Sequence, residues 1–173
     1  DDDIINGLGG ADLILGLGGS DILNGGEGDD VLRGDGGAFY TGPVGNDTLN
    51  GGDGDDYMNG GAGIDAFDGG SGDDRVSFYS ATATQGVVAS LITQTISNDG
   101  FGNTETMISV EGLGAGTAFA DQLTGDDNAN LMLAGVGDTI LANGGDDTFQ
   151  LEGALLLLDG GDGVDTITQF IQQ

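Results

Sequence analysis

Apolar residues recur at intervals of nine along the first half of the chain: Ile5, Ile14, Leu23 and Leu32, then Leu49, Met58, Phe67 and Val76. Each stands two residues after an aspartate, in order Asp3, Asp12, Asp21, Asp30, Asp47, Asp56, Asp65 and Asp74. The step from Asp30 to Asp47 carries eight extra residues, read as an inserted loop AFYTGPVG at 38–45 that leaves the register on either side undisturbed. Strand side chains alternate between faces, so a three-residue strand with an apolar centre aims one side chain inward per repeat. Six residues of turn precede each such strand. A nine-residue period of this form predicts a solenoid in which two repeats make one 18-residue turn. Loops two repeats apart then stack about 4.8 Å from each other. One edge would carry the loops ending at Asp12, Asp30, Asp56 and Asp74, and the other those ending at Asp3, Asp21, Asp47 and Asp65.

Composition changes this picture in one respect. The 173 residues include 38 Gly and one Pro, and 30 acidic residues face two basic ones, a formal net charge of −28. Such a balance ordinarily marks a disordered, solvating segment. Here 37% of residues are hydrophobic and regularly placed. Like charges at this density oppose compaction, so the fold requires something that neutralises carboxylates, and divalent cations fit that need. Nucleic acid and anionic lipid are bound mainly through Lys and Arg, which excludes both as partners. The apolar run Leu155 to Leu158 is far shorter than the roughly 20 residues of a membrane-spanning helix, so no membrane insertion is expected. Without Cys or His there is no disulfide framework, and zinc, heme and His-dependent catalysis are disfavoured. The chain opens in mid-repeat with Asp1 to Asp3 and is expected to be part of a longer protein.

The units GGEGDDVLR (25–33), GGDGDDYMN (51–59), GGAGIDAFD (60–68) and GGSGDDRVS (69–77) resemble the G-G-x-G-x-D-x-U-x nonapeptide of RTX, or hemolysin-type calcium-binding, proteins. The segments GLGGAD at 7–12 and GLGGSD at 16–21 depart from it, with Leu8 and Leu17 in the place of the second Gly. The resemblance implies an all-β fold, a right-handed parallel β-roll stabilised by Ca²⁺. Calcium takes six to eight oxygens from carboxylates and carbonyls, and glycine lets a turn aim its carbonyls at one point. The implied ligands are Gly7, Gly9 and Asp12; Gly16, Gly18 and Asp21; Gly25, Glu27, Gly28 and Asp30; Gly34, Gly36 and Asp47; Gly51, Asp53, Gly54 and Asp56; Gly60, Ala62 and Asp65; and Gly69, Ser71 and Asp74. One ion between consecutive loops on each edge gives about six ions for residues 1–77. The 34–47 loop is the weakest member, because its insertion threatens the Gly34 to Gly37 carbonyls. Without Ca²⁺ the glycine-rich turns should lose to chain entropy and the roll should unfold.

The pattern divides the chain into three sections: the calcium-binding roll at 1–77, a β-rich spacer at 78–120, and a degenerate solenoid section at 121–173. In the spacer a strand is expected at 86–92, a turn near SNDGFGN and a strand at 106–113. The turn offers Asp99, Asn103 and Glu105, read as a polar hairpin-like loop in preference to an ion site. Asp121, Asn130, Asp138, Asp147 and Asp165 then precede Leu123, Met132, Ile140, Phe149 and Ile167 by two, with Leu156 where another Asp would fall. Further ligands are expected at Asp147 and at Gly160, Asp162 and Asp165. GALLLLDGG is expected to form a strand buried on both faces.

By resemblance such regions are secreted through the type I system and fold outside the cell, next to proteases, lipases, toxins, epimerases, adhesins or surface-layer proteins. The closing DTITQFIQQ resembles a type I signal only vaguely. The expected function is therefore a calcium-binding module that folds on secretion, extracellular or at the cell surface. Enzymatic activity is not expected: adjacent pairs such as Asp55 and Asp56 point to opposite faces and cannot act together on a glycoside. An adhesive or lattice role is the alternative, with Phe39 and Tyr40 of the 38–45 loop as the contact for a protein or surface partner. The third turn position shows no aligned row of Thr or Asn, which argues against ice binding.

Overall fold

In a computed structural model, residues 1–36, 44–80 and 82–169 are described, and among them the chain forms strands and turns without a helix. The expected 18-residue turn is present. Strands β1 (Ile4–Gly9), β3 (Ile22–Glu27), β5 (Thr48–Asp53) and β7 (Ala66–Ser71) pair in parallel in one sheet. Between them, β2 (Leu13–Leu17), β4 (Val31–Asp35), β6 (Tyr57–Asn59) and β8 (Arg75–Ser77) build a second sheet the same way. Ile5 pairs with Leu23, Leu23 with Leu49 and Leu49 with Phe67, so the inward residues stack one above another. Leu23, Leu32, Leu49, Met58 and Val76 are wholly buried in the thin space between the two sheets.

The spacer is threaded into the same sheets. Strands β9 (Val88–Ser90), β10 (Thr95–Asn98) and β11 (Glu105–Ile108) form an antiparallel meander, in which β11 pairs in parallel with β7. The turn 99–104 joins β10 to β11 as a hairpin. Its Asp99 accepts the amides of Phe101, Gly102 and Asn103 at 2.9–3.0 Å through Oδ1 and the Asn103 amide side chain at 3.0 Å through Oδ2. The strand expected at 106–113 is instead two strands. β12 (Gly112–Gly114) crosses to the second sheet beside β8, and Ser109 turns the corner at φ +51°.

The parallel roll then resumes with β13 (Gln122–Thr124), β14 (Leu131–Ala134), β15 (Thr139–Leu141), β16 (Thr148–Leu151), β17 (Leu157–Asp159) and β18 (Thr166–Gln169). One cluster of buried side chains runs from Ile14 through Leu91, Ile96 and Met107 to Phe149. The doubly buried strand expected from GALLLLDGG is not found. β17 is the last strand of its sheet, Leu156 and Leu157 are exposed, and Leu155 and Leu158 are only partly covered, because no further described turn stacks upon them.

Most of the 38–45 insertion lies outside the described residues. Gly45, its last residue, holds a regular turn position: a Cβ on Gly63 would strike the Gly45 carbonyl, just as one on Gly45 would strike that of Gly19. The described turns on either side of the insertion therefore keep one register, and Thr48 still pairs with Ile22.

Candidate metal centre

The sixth-position aspartates stack along the two edges in the order inferred from the spacing. On one edge Asp30 Oδ1 accepts the Asp12 amide at 2.7 Å, Asp56 that of Asp30 at 2.8 Å and Asp74 that of Asp56 at 2.8 Å. On the other, Asp21, Asp47 and Asp65 accept the amides of Asp3, Asp21 and Asp47, each at 2.8 Å. Each carboxylate thus reaches back one turn. The degenerate section repeats the arrangement: Asp147 accepts the Asn130 amide, Asp165 that of Asp147, Asp121 that of Val87 and Asp138 that of Asp121.

In most of these carboxylates one oxygen is thereby used and the other is stranded; the exceptions are Asp138, whose Oδ2 accepts the Gly135 amide at 2.6 Å, and Asp165, which is exposed. Oδ2 of Asp12, Asp21, Asp30, Asp47, Asp56, Asp65, Asp74, Asp121 and Asp147 is buried without a hydrogen-bond partner. A carboxylate oxygen withdrawn from water and left unpaired is costly unless a cation or a proton meets it. From Asp12 to Asp74 the stranded oxygens lie against the first glycine of their own loops. A Cβ on Gly7 would come within 2.6 Å of both Asp12 Oδ2 and the Gly25 carbonyl oxygen of the next turn. Cβ atoms on Gly16, Gly25, Gly34 and Gly51 would each meet the corresponding pair, with carbonyls from Gly34, Gly51, Gly60 and Gly69. Gly34 therefore keeps its carbonyl in line despite the insertion. Gly60 and Gly69 back Asp65 and Asp74 in the same way.

Turn position three behaves differently. Glu27, Asp53 and Ser71 point their side chains to solvent, while their carbonyls accept the amides of Gly10, Gly28 and Gly54 at 2.6, 2.6 and 2.8 Å. A carbonyl has two lone pairs, so each of these keeps one for a further partner. Gly9 stands open at this position, Ala62 and Gly36 are half-covered and Gly18 is buried. Gly28 and Gly54, at position four, adopt φ of +115° and +131°, which only glycine takes without strain. Position two also lies in the left-handed region, and Leu8 and Leu17 occupy it there at φ +78° and +76° with their side chains exposed. Asp147 is buried like the earlier aspartates, whereas Gly160 is half-buried and Asp162 and Asp165 are exposed at the far end of the described chain.

Burial pushes seven of the acidic groups of the roll and spacer upward, with neighbouring carboxylates adding to the effect. Asp47 and Asp74 rise to about 6, Asp65 to about 7 and Glu105 to about 9. Asp56, Asp121 and Asp147 rise for the same first cause. Among the described residues no three acidic side chains converge closely enough to hold an ion by themselves. The donor set is instead carboxylates of successive turns joined by main-chain carbonyls. Hard oxygens at this density suit a hard cation of high coordination number, and they fit calcium.

The RTX calcium-binding nonapeptide repeat model matches residues 1–32, 15–38, 42–76 and 115–141, together more than half of the sequence. This chain belongs to the RTX calcium-binding repeat family. Among curated proteins no relative matches it. As an RTX module it binds calcium through these repeats, and the loops that match the repeat are those that carry most of the stranded oxygens.

Several participants escaped the sequence reading, and Glu105, named there only as part of a polar turn, takes a different part. Position five forms an outer ladder running the opposite way to the inner one. Asp29 accepts the Asp55 amide and Asp55 that of Asp73, each at 3.0 Å. The doubled aspartate thus stitches forward with its first member and backward with its second. Asn6, Asn24 and Asn50 link their side-chain amides at 2.8 and 2.7 Å, a ladder announced only by identity in alternate repeats. Asp35, where the second Gly would stand, is buried with Oδ1 unpaired and Oδ2 on the Ala62 amide at 2.9 Å. Glu105 and Glu111 cap the two inner ladders, accepting the amides of Asp65 at 3.1 Å and Asp74 at 3.0 Å. No periodicity points to either.

Proposed function

We propose that this chain is the calcium-operated folding section of a larger secreted protein, expanded where calcium is scarce and rigid where it is plentiful. The observation that carries the reading is the set of buried, unpaired Oδ2 atoms along both edges of the roll. A chain of net charge −28 that strands so many carboxylate oxygens in its interior is stable only with cations among them. About six ions serve residues 1–77, one between each pair of consecutive loops on an edge, and fewer serve the degenerate section.

In this role the module is not an enzyme. It leaves the cell through an export channel as an unfolded chain and folds in the calcium-rich exterior, giving its parent protein a stiff extracellular segment. A lattice or adhesive role is the second reading. It is favoured by aliphatic side chains that face outward on the first turns, Ile4, Leu13 and Ile22 among them, with the 38–45 loop as a further contact.

Small-angle X-ray scattering of the chain in submicromolar and in millimolar calcium tests the reading. An unfolded chain of this length has a radius of gyration of about 44 Å and a compact one about 16 Å. A change in that direction across this range is expected. A compact particle at both concentrations would contradict export as an unfolded chain, and turnover of ester or polysaccharide substrates by the purified chain would contradict a purely structural role.

A further inference from the structure

The first rail of stacked loops ends at Asp74, and the turn stacked beyond it is not a nonapeptide. That turn is the short spacer corner Ser109-Val110-Glu111, which holds neither a glycine nor an aspartate. Three atoms nevertheless stand where a repeat would have put them. Asp74 Oδ2 is buried and unpaired, in a residue 1% exposed. A Cβ on Gly69 would meet Asp74 Oδ2 at 2.6 Å and would strike the Ser109 carbonyl oxygen. In the regular loops that place is taken by the first-glycine carbonyl of the next turn, as Gly69 does for Gly51. Glu111 Oε2 accepts the Asp74 amide at 3.0 Å, the part played elsewhere by the next sixth-position aspartate. The Gly112 amide likewise donates to the Asp74 carbonyl at 2.9 Å, as the Arg75 amide does to that of Asp56.

We propose that Asp74, the Ser109 carbonyl and Glu111 form a calcium site that closes this rail, a site completed by the spacer and invisible to the repeat pattern. It rests on the calcium reading above. Three spacer residues supply the carbonyl and the carboxylate that a repeat supplies with six turn residues, and the longer Glu side chain spans the distance left by the shorter corner. Because the corner is shorter than a repeat loop, a cleft of about 470 Å³ remains between the Asp73–Asp74 loop and the Ala129–Asn130 loop, with Glu111 on its wall. An ion at this site is reached from solvent through the cleft. Its binding fastens the spacer to the roll, so calcium orders β12 as well as the repeats.

Two measurements on the full chain test this. In native mass spectrometry at saturating calcium, Glu111→Gln should carry one ion fewer than wild type; Gln still offers an oxygen to the Asp74 amide, so the fold is kept. An unchanged count would overturn the proposal. Wild-type crystals exchanged with terbium decide the matter without any variant. Anomalous density is expected beside Asp74 and Glu111 as well as between the Asp56 and Asp74 loops. Density between the two loops alone would overturn this site and leave the calcium reading standing, whereas density at neither place would remove both.

Discussion

At the scale of single residues, glycine has two distinct duties in this chain, and they make separable predictions. The first glycine of a loop is needed for space: a Cβ on Gly51 would lie 2.5 Å from the Gly69 carbonyl oxygen and would collide with Asp56 Oδ2. Position three has room, since the nearest atom to a Cβ on Gly9 is 3.7 Å away and its φ is unstrained. Gly51→Ala should therefore weaken calcium binding at least tenfold at the affected loop pair, while Gly9→Ala should bind as wild type; calcium titration calorimetry reads both. Equal losses in the two variants would mean that backbone freedom, not ligand geometry, selects glycine here. The carboxyls make a second prediction through their protonation. Asp47, Asp65 and Asp74 have folded-state values near 6 to 7 without ions, above the ordinary value of 3.8. Groups raised in this way favour the folded state below their ordinary value and lose that contribution as pH rises through the folded one. In excess chelator, residual β-structure should accordingly be greatest near pH 4 and vanish between about pH 4 and 7, as followed by far-ultraviolet circular dichroism. Calcium should abolish this dependence, because the ion favours the charged form.

At the scale of elements, the strands are short and each adds one inward side chain, so the roll depends on many small, equivalent contributions. Leu49 is wholly buried between Leu23 and Phe67. Leu49→Ala should cost about 2–5 kcal/mol in saturating calcium, measured by denaturant unfolding. A cost below about 1 kcal/mol would mean that the ions alone, without the core, hold the stack. The register of these strands was legible from the sequence because the aspartate and the apolar residue keep a fixed offset, and an insertion of eight residues could be subtracted from it. The spacer was less legible. Residues 106–113 read as a single strand because the corner at Ser109 needs a left-handed non-glycine residue, which no turn propensity signals. The capping places of Glu105, named only as part of a polar turn, and of Glu111 stayed hidden for a related reason: their partners, Asp65 and Asp74, are 40 and 37 residues away, and only the stacking of the meander brings them together. The expected burial of Leu155 to Leu158 failed on stacking too, since apolar side chains are covered only where another turn lies over them.

At the scale of the whole molecule, charge decides the outcome. The hydrophobic interior is one side chain deep on each sheet, and 30 acidic residues against two basic ones oppose its closure. Along the rails Asp21, Asp30, Asp47, Asp56, Asp65 and Asp74 each have one oxygen satisfied by a hydrogen bond and the other left unpaired, so the protein supplies half of a lattice and calcium the rest. The most direct test is far-ultraviolet circular dichroism of the full chain during a calcium titration from excess chelator at pH 7.5, with magnesium as the control. A cooperative gain of β-structure with calcium, and none with magnesium at the same concentration, is predicted. A spectrum equally rich in β-structure in excess chelator would contradict the account.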